Sequence, residues 1–584
     1  ELYEPYHLYE QDAPISLINS QIVKNVKLLT GGFSAKYTDR MSGIFNLDTI
    51  NENNEHMANF SLDVFFASFL LSNRINEKFS HFLSVRRSFL DLFGVNLDRQ
   101  GEYKWPMYYD IWSKLNYRAN HKHRFSFNFL FSNDEEVYDD PQALIRPEYF
   151  TSLRRNYYGW INWHWLMNRN LYVTTTVGFQ DLKKESDFEF DFSLSENNID
   201  NRHTNLLSLT QNYYWTSFNR HSLEFGFELK KFFSDYFFSE VRTNRYKTTQ
   251  DNIVVDSILV NSKFDGYTLG GFVQDTWELS KRLKFLMGVR ISGQNYTDNI
   301  QIAPRSSISY NIRDNLSFKL AYGWYYQPDN FQKLRSYEGQ GRPNKTVSKS
   351  IHYLGELNYH FLKKSTIKWG VYYKDYKRLQ EDFEFDFFNR YDRENILDEP
   401  FNPISGYSTG FETFIRHQYA RSNLFSVAYT YSFNRIKNEA GRVVPRDFDR
   451  THTIAVNNIF NFKPNITLSA LWRFHTGDPY TSSEIRTIGD GTVGGNTINY
   501  YEFGEKNSQR LPVYHSLDIR VEKNWQFKKT SLQLFVNIIN VYNRRNVKSF
   551  YWAADTRDNQ LVGFNLVDFP FFKRFLWLGV GVSF

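Results

Sequence analysis

The chain has no cysteine. That excludes thiolate catalysis, iron–sulfur ligation and cysteine-based zinc sites, and means no disulfide supports the fold. Proline (15) and glycine (30) are sparse in 584 residues, and there is no low-complexity tract, so fibrous classes fall away. Long hydrophobic runs are missing too. The longest uncharged apolar stretch is about Val64–Leu71, far short of the roughly 18 residues a membrane helix needs. The net charge of +6 is modest, and no basic helix or aromatic RNA-binding run accompanies it, so nucleic acid is not an expected partner. Glu1-Leu2-Tyr3 carries neither Met nor an apolar signal core, so any secretory signal is expected to have been removed or to lie outside these residues.

What the chain does have is aromatic residues. Phe (55), Tyr (40) and Trp (13) make 18% of it, alongside 23% charged residues and a mean hydropathy of −0.56. Aromatic and β-branched residues in a chain that is polar on average suit pleated, half-exposed strands. Strict apolar–polar alternation bears this out along the sequence. Leu517, Ile519 and Val521 alternate with Ser516, Asp518, Arg520 and Glu522, and Leu532, Leu534, Val536 and Ile538 enclose Gln533 and Asn537. Ile367, Trp369, Val371 and Tyr373 alternate with Lys368, Gly370, Tyr372 and Lys374, and the chain ends on Leu576, Leu578, Val580, Val582 and Phe584.

Two kinds of connection separate these segments. Ten are short and basic, from Asn76-Glu77-Lys78 through Lys363-Lys364-Ser365 to Lys528-Lys529-Thr530. Between them stand eleven others, most of them long, polar and irregular, including 94–106, 138–150, 187–201, 241–264, 330–347, 384–405, 482–512 and 552–566. Strict alternation of the two kinds gives 22 strands of about 12–18 residues, and about 9–11 tilted residues suffice to cross hydrocarbon. Short turns on one side and long loops on the other, with an even strand count, mark an outer-membrane β-barrel of a Gram-negative cell. Such closure pairs every backbone polar group in lipid. Aromatic clusters near strand ends, such as Trp160, Trp163 and Trp165, suit interfacial girdles. Soluble propellers or sandwiches would not alternate loop lengths in this way. The expected fold is therefore all-β, with residues 48–584 a 22-stranded antiparallel transmembrane barrel.

Residues 1–47 read as a small mixed domain ahead of the barrel. Val26, Leu28 and Leu29 form a short, buried-looking strand, followed by Gly31-Gly32, where positive φ is permitted, and by Ser42-Gly43, small enough for close backbone approach. A 22-stranded lumen is too wide for its own side chains to fill.

At this point the sequence resembles the TonB-dependent outer-membrane receptors, and Glu4-Pro5-Tyr6-His7-Leu8 is similar to a segment of their Bacteroidetes members. The run from Val23 to Leu47, with Gly31, Gly32, Tyr37, Arg40, Ser42 and Gly43, looks like the end of the family's plug domain. Thr38 stands where the family usually has Gly. Further matches are Arg86-Arg87-Ser88, Phe448-Asp449-Arg450, Thr476-Gly477-Asp478-Pro479-Tyr480, Arg510-Leu511-Pro512, and Asn537, Asn540, Tyr542, Asn543 and Asn546. Phe584 resembles the family's C-terminal assembly signal. The resemblance implies import of a scarce solute (siderophore, metal complex, cofactor, peptide or oligosaccharide) through a plugged barrel, driven from the inner membrane by a TonB complex. TonB would act through an N-terminal plug segment that this sequence lacks. A further alternative is a barrel platform for surface lipoproteins or a secretion complex. Outer-membrane lipid and lipopolysaccharide are expected partners, with a surface lipoprotein an additional one.

Chemistry on a solute finds no support. Gly489, Gly491, Gly494 and Gly495 lack the following Lys-Ser/Thr of a phosphate cradle. The histidines, among them His121 and His123, show no metal-ligand spacing. The acidic stretch of Glu381, Asp382, Glu384, Asp386, Asp392, Glu394, Asp398 and Glu399 reads as a solvated loop rather than a cation site. No catalytic residue, cofactor or metal is expected. Arg40 is the expected link between plug and barrel, paired to barrel carboxylates.

Overall fold

The computed structural model describes residues 1–11, 13–50, 56–91, 106–140, 148–191, 195–216, 220–244, 254–329, 345–379, 403–420, 422–489, 497–557, 560–571 and 573–584. Alternation in sequence becomes alternation in burial: in Phe79–Ser88 every second residue is buried. One face of the strand meets lipid while the other looks inward. Twenty-two such strands close into a single antiparallel barrel, in which the first, Met57–Asp63, pairs with the last, Phe575–Ser583. The backbone of Phe584 completes the seam by exchanging hydrogen bonds of 2.8 and 2.9 Å with Ala58. Ile44–Thr49 is not part of this wall. It pairs with Val23–Leu29 in a separate two-stranded sheet, so the first barrel strand begins at Met57, beyond the expected boundary at 47/48.

Four of the short turns share a physical device. Asn76 Oδ1 accepts from the backbone N–H of Lys78 (2.8 Å) and Phe79 (3.0 Å), and Asn120 and Asn168 do the same for their own turns. Ser280 substitutes its hydroxyl. A side-chain acceptor at the first turn position replaces a missing backbone partner, which keeps the connection tight. Asn219 and Arg421 lie outside the described residues.

The strands are longer than expected on one wall. His123–Asp140, Glu148–Leu166, Leu171–Asp191, Ser195–Trp215, His221–Asn244 and Val254–Glu278 run 18 to 25 residues. Much of the stretches 138–150, 187–201 and 241–264, expected to be irregular, is therefore ladder, with Asp187 opposite Ile199 and Arg242 opposite Asp256. Above the hydrocarbon the backbone pairing continues although no apolar face needs burying. Likewise 482–512 and 552–566 contain hairpins, Ser483–Gly489 with Thr497–Phe503 and Val547–Arg557 with Gln560–Pro570.

Aromatic girdles occupy both ends. At the short-turn end His123, Trp163 and Trp165 stack, with ring centroids 5.5–5.9 Å apart. Towards the long-loop end Tyr322, Tyr353, Tyr373 and Tyr407 form a row across four adjacent strands. Amphipathic rings belong at such interfaces.

Candidate functional site

On Leu171–Asp191, Val177 and Phe179 are exposed while Gln180 and Leu182 are buried, so the strand's even positions face inward there. The N-terminal segment lies against these inward positions. Gln180 donates to Glu1 O (2.8 Å) and accepts from Tyr3 N (3.1 Å), and Tyr158 Oη donates to Tyr3 O (2.8 Å).

Charge governs the next contacts. The fully buried His7 imidazole hydrogen-bonds through Nε2 to Asp110 Oδ2 (3.1 Å) and through Nδ1 to Asp134 Oδ1, with the Tyr108 ring 4.4 Å away. Arg86 donates to the same Asp110 oxygen (2.8 Å) and to Ser16 O (2.7 Å). With His7 protonated, an imidazolium and a guanidinium face two carboxylates, and the charges of these four groups balance, as burial of charge requires. Burial pushes the His7 imidazole down, but the hydrogen bonds and charges of Asp110 and Asp134 outweigh it, so its pKa is raised. Glu10 receives Arg154 (2.9 Å) and Lys184 (3.4 Å). Burial raises its carboxyl pKa, and these two cations overcome that and bring it to about 2. Lys230 holds Glu1 (3.0 Å), Asp39 (3.1 Å) and Glu228 (2.9 Å).

Among the described residues Arg40 makes no ion pair with the barrel. Its Nη2 meets Glu1 of the same N-terminal segment and its Nη1 donates to Asp39 O (2.8 Å). The expected polarity is reversed at this point: the segment contributes carboxylates (Glu1, Glu10, Asp39) and the barrel contributes cations (Arg154, Lys184, Lys230). Arg40 serves to hold Glu1 in place for Lys230.

The second contact zone is built from 30–43. Phe33 is buried against Tyr325 (4.4 Å), over which the Arg305 guanidinium sits at 4.4 Å. Ala35 N donates to Gln274 (3.0 Å), and Lys36 donates to Tyr214 Oη (2.8 Å). Lys374 donates to Thr30 O (2.6 Å) and Ser42 O (3.4 Å). Gly31 and Gly32 press on the wall. A Cβ at Gly32, whose φ is +60°, would stand 2.8 Å from Leu354 Cδ1. Gly43 faces its own strand partner instead, with Leu29 O 2.8 Å from where a Cβ would be. Tyr37 packs edge-on to Phe33, and the positive φ beside Thr38 falls on Asp39 (56°). Val26 (48% exposed) and Leu28 (64%) are not buried, because Val23–Leu29 has Ile44–Thr49 as its one strand partner and no cover on its outer residues.

Three motifs far apart in sequence meet at the long-loop rim. Asp449 is fully buried, accepts from Asn434 N (2.6 Å), and is ion-paired with Arg435 Nη1 (2.6 Å) and with Arg510. Arg450 grips Asp478 through two bonds of 2.6 and 2.8 Å. Gly477 lies so close to Leu511 that a Cβ would stand 1.6 Å from its carbonyl oxygen. The acidic stretch 381–399, Gly491, Gly494 and Gly495 lie outside the described residues.

Sequence reasoning missed His7, Asp110, Asp134 and Lys230 as a set. Charged residues at inward positions of alternating strands were the available signal. A pH dependence follows from it. A raised histidine pKa stabilises fully below the ordinary value near 6.5 and is lost as pH rises through the raised value. Glu10 acts oppositely: its contribution is present above its ordinary value near 4.5 and is lost as pH falls towards about 2. Amide hydrogen exchange in residues 1–11 is therefore expected to be slowest between weak acid and neutrality. Relative to global opening it should accelerate in alkali in the wild type but not in His7→Phe. Equal acceleration in both would exclude the His7 contact as the cause.

A family profile described as "TonB dependent receptor-like, beta-barrel" matches residues 30–541. No curated protein matches the chain. Among solved structures, the ferric yersiniabactin uptake receptor of Yersinia pestis is similar, at 14% identity and a TM-score of 0.68, over 96% of this chain and 85% of that one. The ferric citrate transporter in its unliganded form aligns over 99% of this chain and 86% of its own, at 12% identity and a TM-score of 0.67. The ferric-catecholate import receptor of E. coli K12 covers 93% and 84%, at 12% identity and a TM-score of 0.64. At such identities the likeness is one of fold. With the family profile spanning most of the chain and the barrel closed at 22 strands, this protein belongs to the TonB-dependent receptors of the Gram-negative outer membrane.

Proposed function

We propose that residues 1–47 are the C-terminal part of a plug and that the protein imports a scarce solute, an iron–chelate complex being the leading class, by TonB-driven movement of that plug. The observation that carries this reading is the character of the contact: Glu1, His7, Glu10 and Asp39 meet the wall through ion pairs and hydrogen bonds. These polar contacts can exchange for water when the segment is pulled, and they stand beside an apolar patch in which Tyr3, Leu17 and Ile22 pack with wall residues such as Leu70, Trp112 and Leu130, so separation also costs hydrophobic burial. The similar solved structures are named as receptors or transporters of ferric yersiniabactin, ferric citrate and ferric catecholates, which supports the iron–chelate class. In this reading Gly31, Gly32, Tyr37, Arg40, Ser42 and Gly43 seat the plug, Phe584 is the assembly signal, and no bond of the solute is made or broken.

The test is growth under iron limitation on a panel of ferric chelates, in cells with and without TonB. Growth on at least one chelate should require both this protein and TonB. TonB-independent growth, or growth on none, would sink the proposal. Gly43→Val supplies a second measurement. With Leu29 O 2.8 Å from the added Cβ, the 23–49 sheet must shift, so entry of large antibiotics should rise while the barrel remains heat-resistant in gels. Unchanged permeability would show that this sheet does not obstruct the lumen.

A further inference from the structure

On Ile466–His475 and Tyr514–Gln526, the inward positions carry Arg473, Ser516, Asp518, Arg520 and Glu522, paired across strands or with one another. Leu468 and Val521, on the opposite face, are exposed to lipid. Trp472 and Phe474 continue that lipid face towards the long-loop, external end of the strand. Together with His515 and Tyr542 they line an apolar groove of about 450 Å³. Trp472 and Phe474 stack at 6.1 Å, and His515 Nδ1 hydrogen-bonds Tyr542 Oη at 2.7 Å.

The connections at the external ends of the neighbouring strands carry cations. Arg544 spends one Nη2 bond on Val513 O (3.1 Å), and its buried Nε has no hydrogen-bond partner. Its charge is felt at both His515 and Tyr542. Lys573 and Arg574 are exposed on the neighbouring connection, which is tied to the residue before Arg544 by the bond from Arg574 N to Asn543 Oδ1 (2.9 Å). Among the described residues none of these three has an ion pair, whereas neighbouring Arg545 is neutralised by Asp568.

The geometry points to a binding site for one phosphorylated acyl lipid of the outer leaflet, with an acyl chain in the Trp472/Phe474/His515/Tyr542 groove and its phosphate on Arg544, Lys573 and Arg574. Continuity decides the occupant. The groove opens on the face that meets hydrocarbon, which a water-soluble partner cannot reach, and the cations lie on the connections at the external ends of the strands. Basic pockets at that height hold anionic head groups, and ring systems with a polar edge settle at the same level. This rests on the outer-membrane placement of the barrel but not on the proposed transport.

The test uses the whole chain purified in detergent, with bisphosphorylated lipid A as probe and its dephosphorylated form as comparison, bound lipid being counted by native mass spectrometry. Wild type should retain one lipid A per barrel. The triple variant Arg544→Gln, Lys573→Gln, Arg574→Gln should bind more weakly by about fivefold for each cation removed, and the dephosphorylated probe should bind the wild type no better than lipid A binds the variant. Trp472→Ala should lose retention of both probes. Heat-modified migration in gels verifies that each variant is folded, and iron-chelate uptake by the triple variant separates this site from transport. Equal retention by wild type and the triple variant, or equal binding of the two probes, would overturn the assignment.

Discussion

Replacing Asp449 by Ala should cost the barrel about 3 kcal/mol, the lower end of what removal of one partner from a buried charge network costs. The lower end applies because Arg435 and Arg510 are 21% and 35% exposed, while Asp449 itself is fully buried. Without the carboxylate two guanidinium groups repel across a nearly dry rim, and Asn434 N loses its acceptor. The damage should extend to Arg450 and Asp478, which sit on the same three connections. Arg442→Ala is the comparison. Its pair with Glu505 is 44% and 62% exposed, and exposed pairs contribute about 0–1 kcal/mol. Urea unfolding in lipid vesicles measures both. Similar small losses would mean the rim cluster is ornamental to stability.

A second large effect is expected at Leu578→Arg. Leu578 is the fourth residue of the nine-residue strand Phe575–Ser583 and is 54% exposed on the lipid face. An arginine near the bilayer midplane should cost about 2–4 kcal/mol. Ser583→Arg, on the inward face where Ser583 accepts from Asn59 Nδ2 (2.9 Å), should cost much less. Folding yields into vesicles that fall equally for the two variants would contradict the face assignment.

The barrel was legible because lipid imposes the period-two pattern that sequence displays. Leu576, Leu578 and Val580 alternate with inward residues for that reason, and the ten short turns announce themselves through Asn and Lys. The six long strands run beyond the expected 12–18 residues because the period-two constraint ends with the hydrocarbon. From Lys183 to Asp187 both faces carry polar residues, apolar alternation stops, and pairing with Ile199–His203 is set by the backbone. The site was less legible than the fold. Composition marks His7 and Asp134 as polar, but nothing local reveals that residues 127 apart share a proton-bearing contact. Arg40 is expected to pair with barrel carboxylates, yet its carboxylate partner is Glu1, 39 residues upstream. Asp449, Asp478 and Arg510 were each visible as motifs, and their convergence was not.

The closing seam has a consequence for assembly. Met57–Asp63 and Phe575–Ser583 share five paired positions, against twenty-four between His221–Asn244 and Val254–Glu278. The seam also joins residues 524 apart in sequence. Loop-closure entropy makes such a junction the last to form and the slowest to find. Until it does, two strands present bare edges to whatever surrounds them, and bare edges recruit other strands. The nascent protein must therefore be chaperoned at these two edges above all others, and a barrel under stress should tear first along the same line.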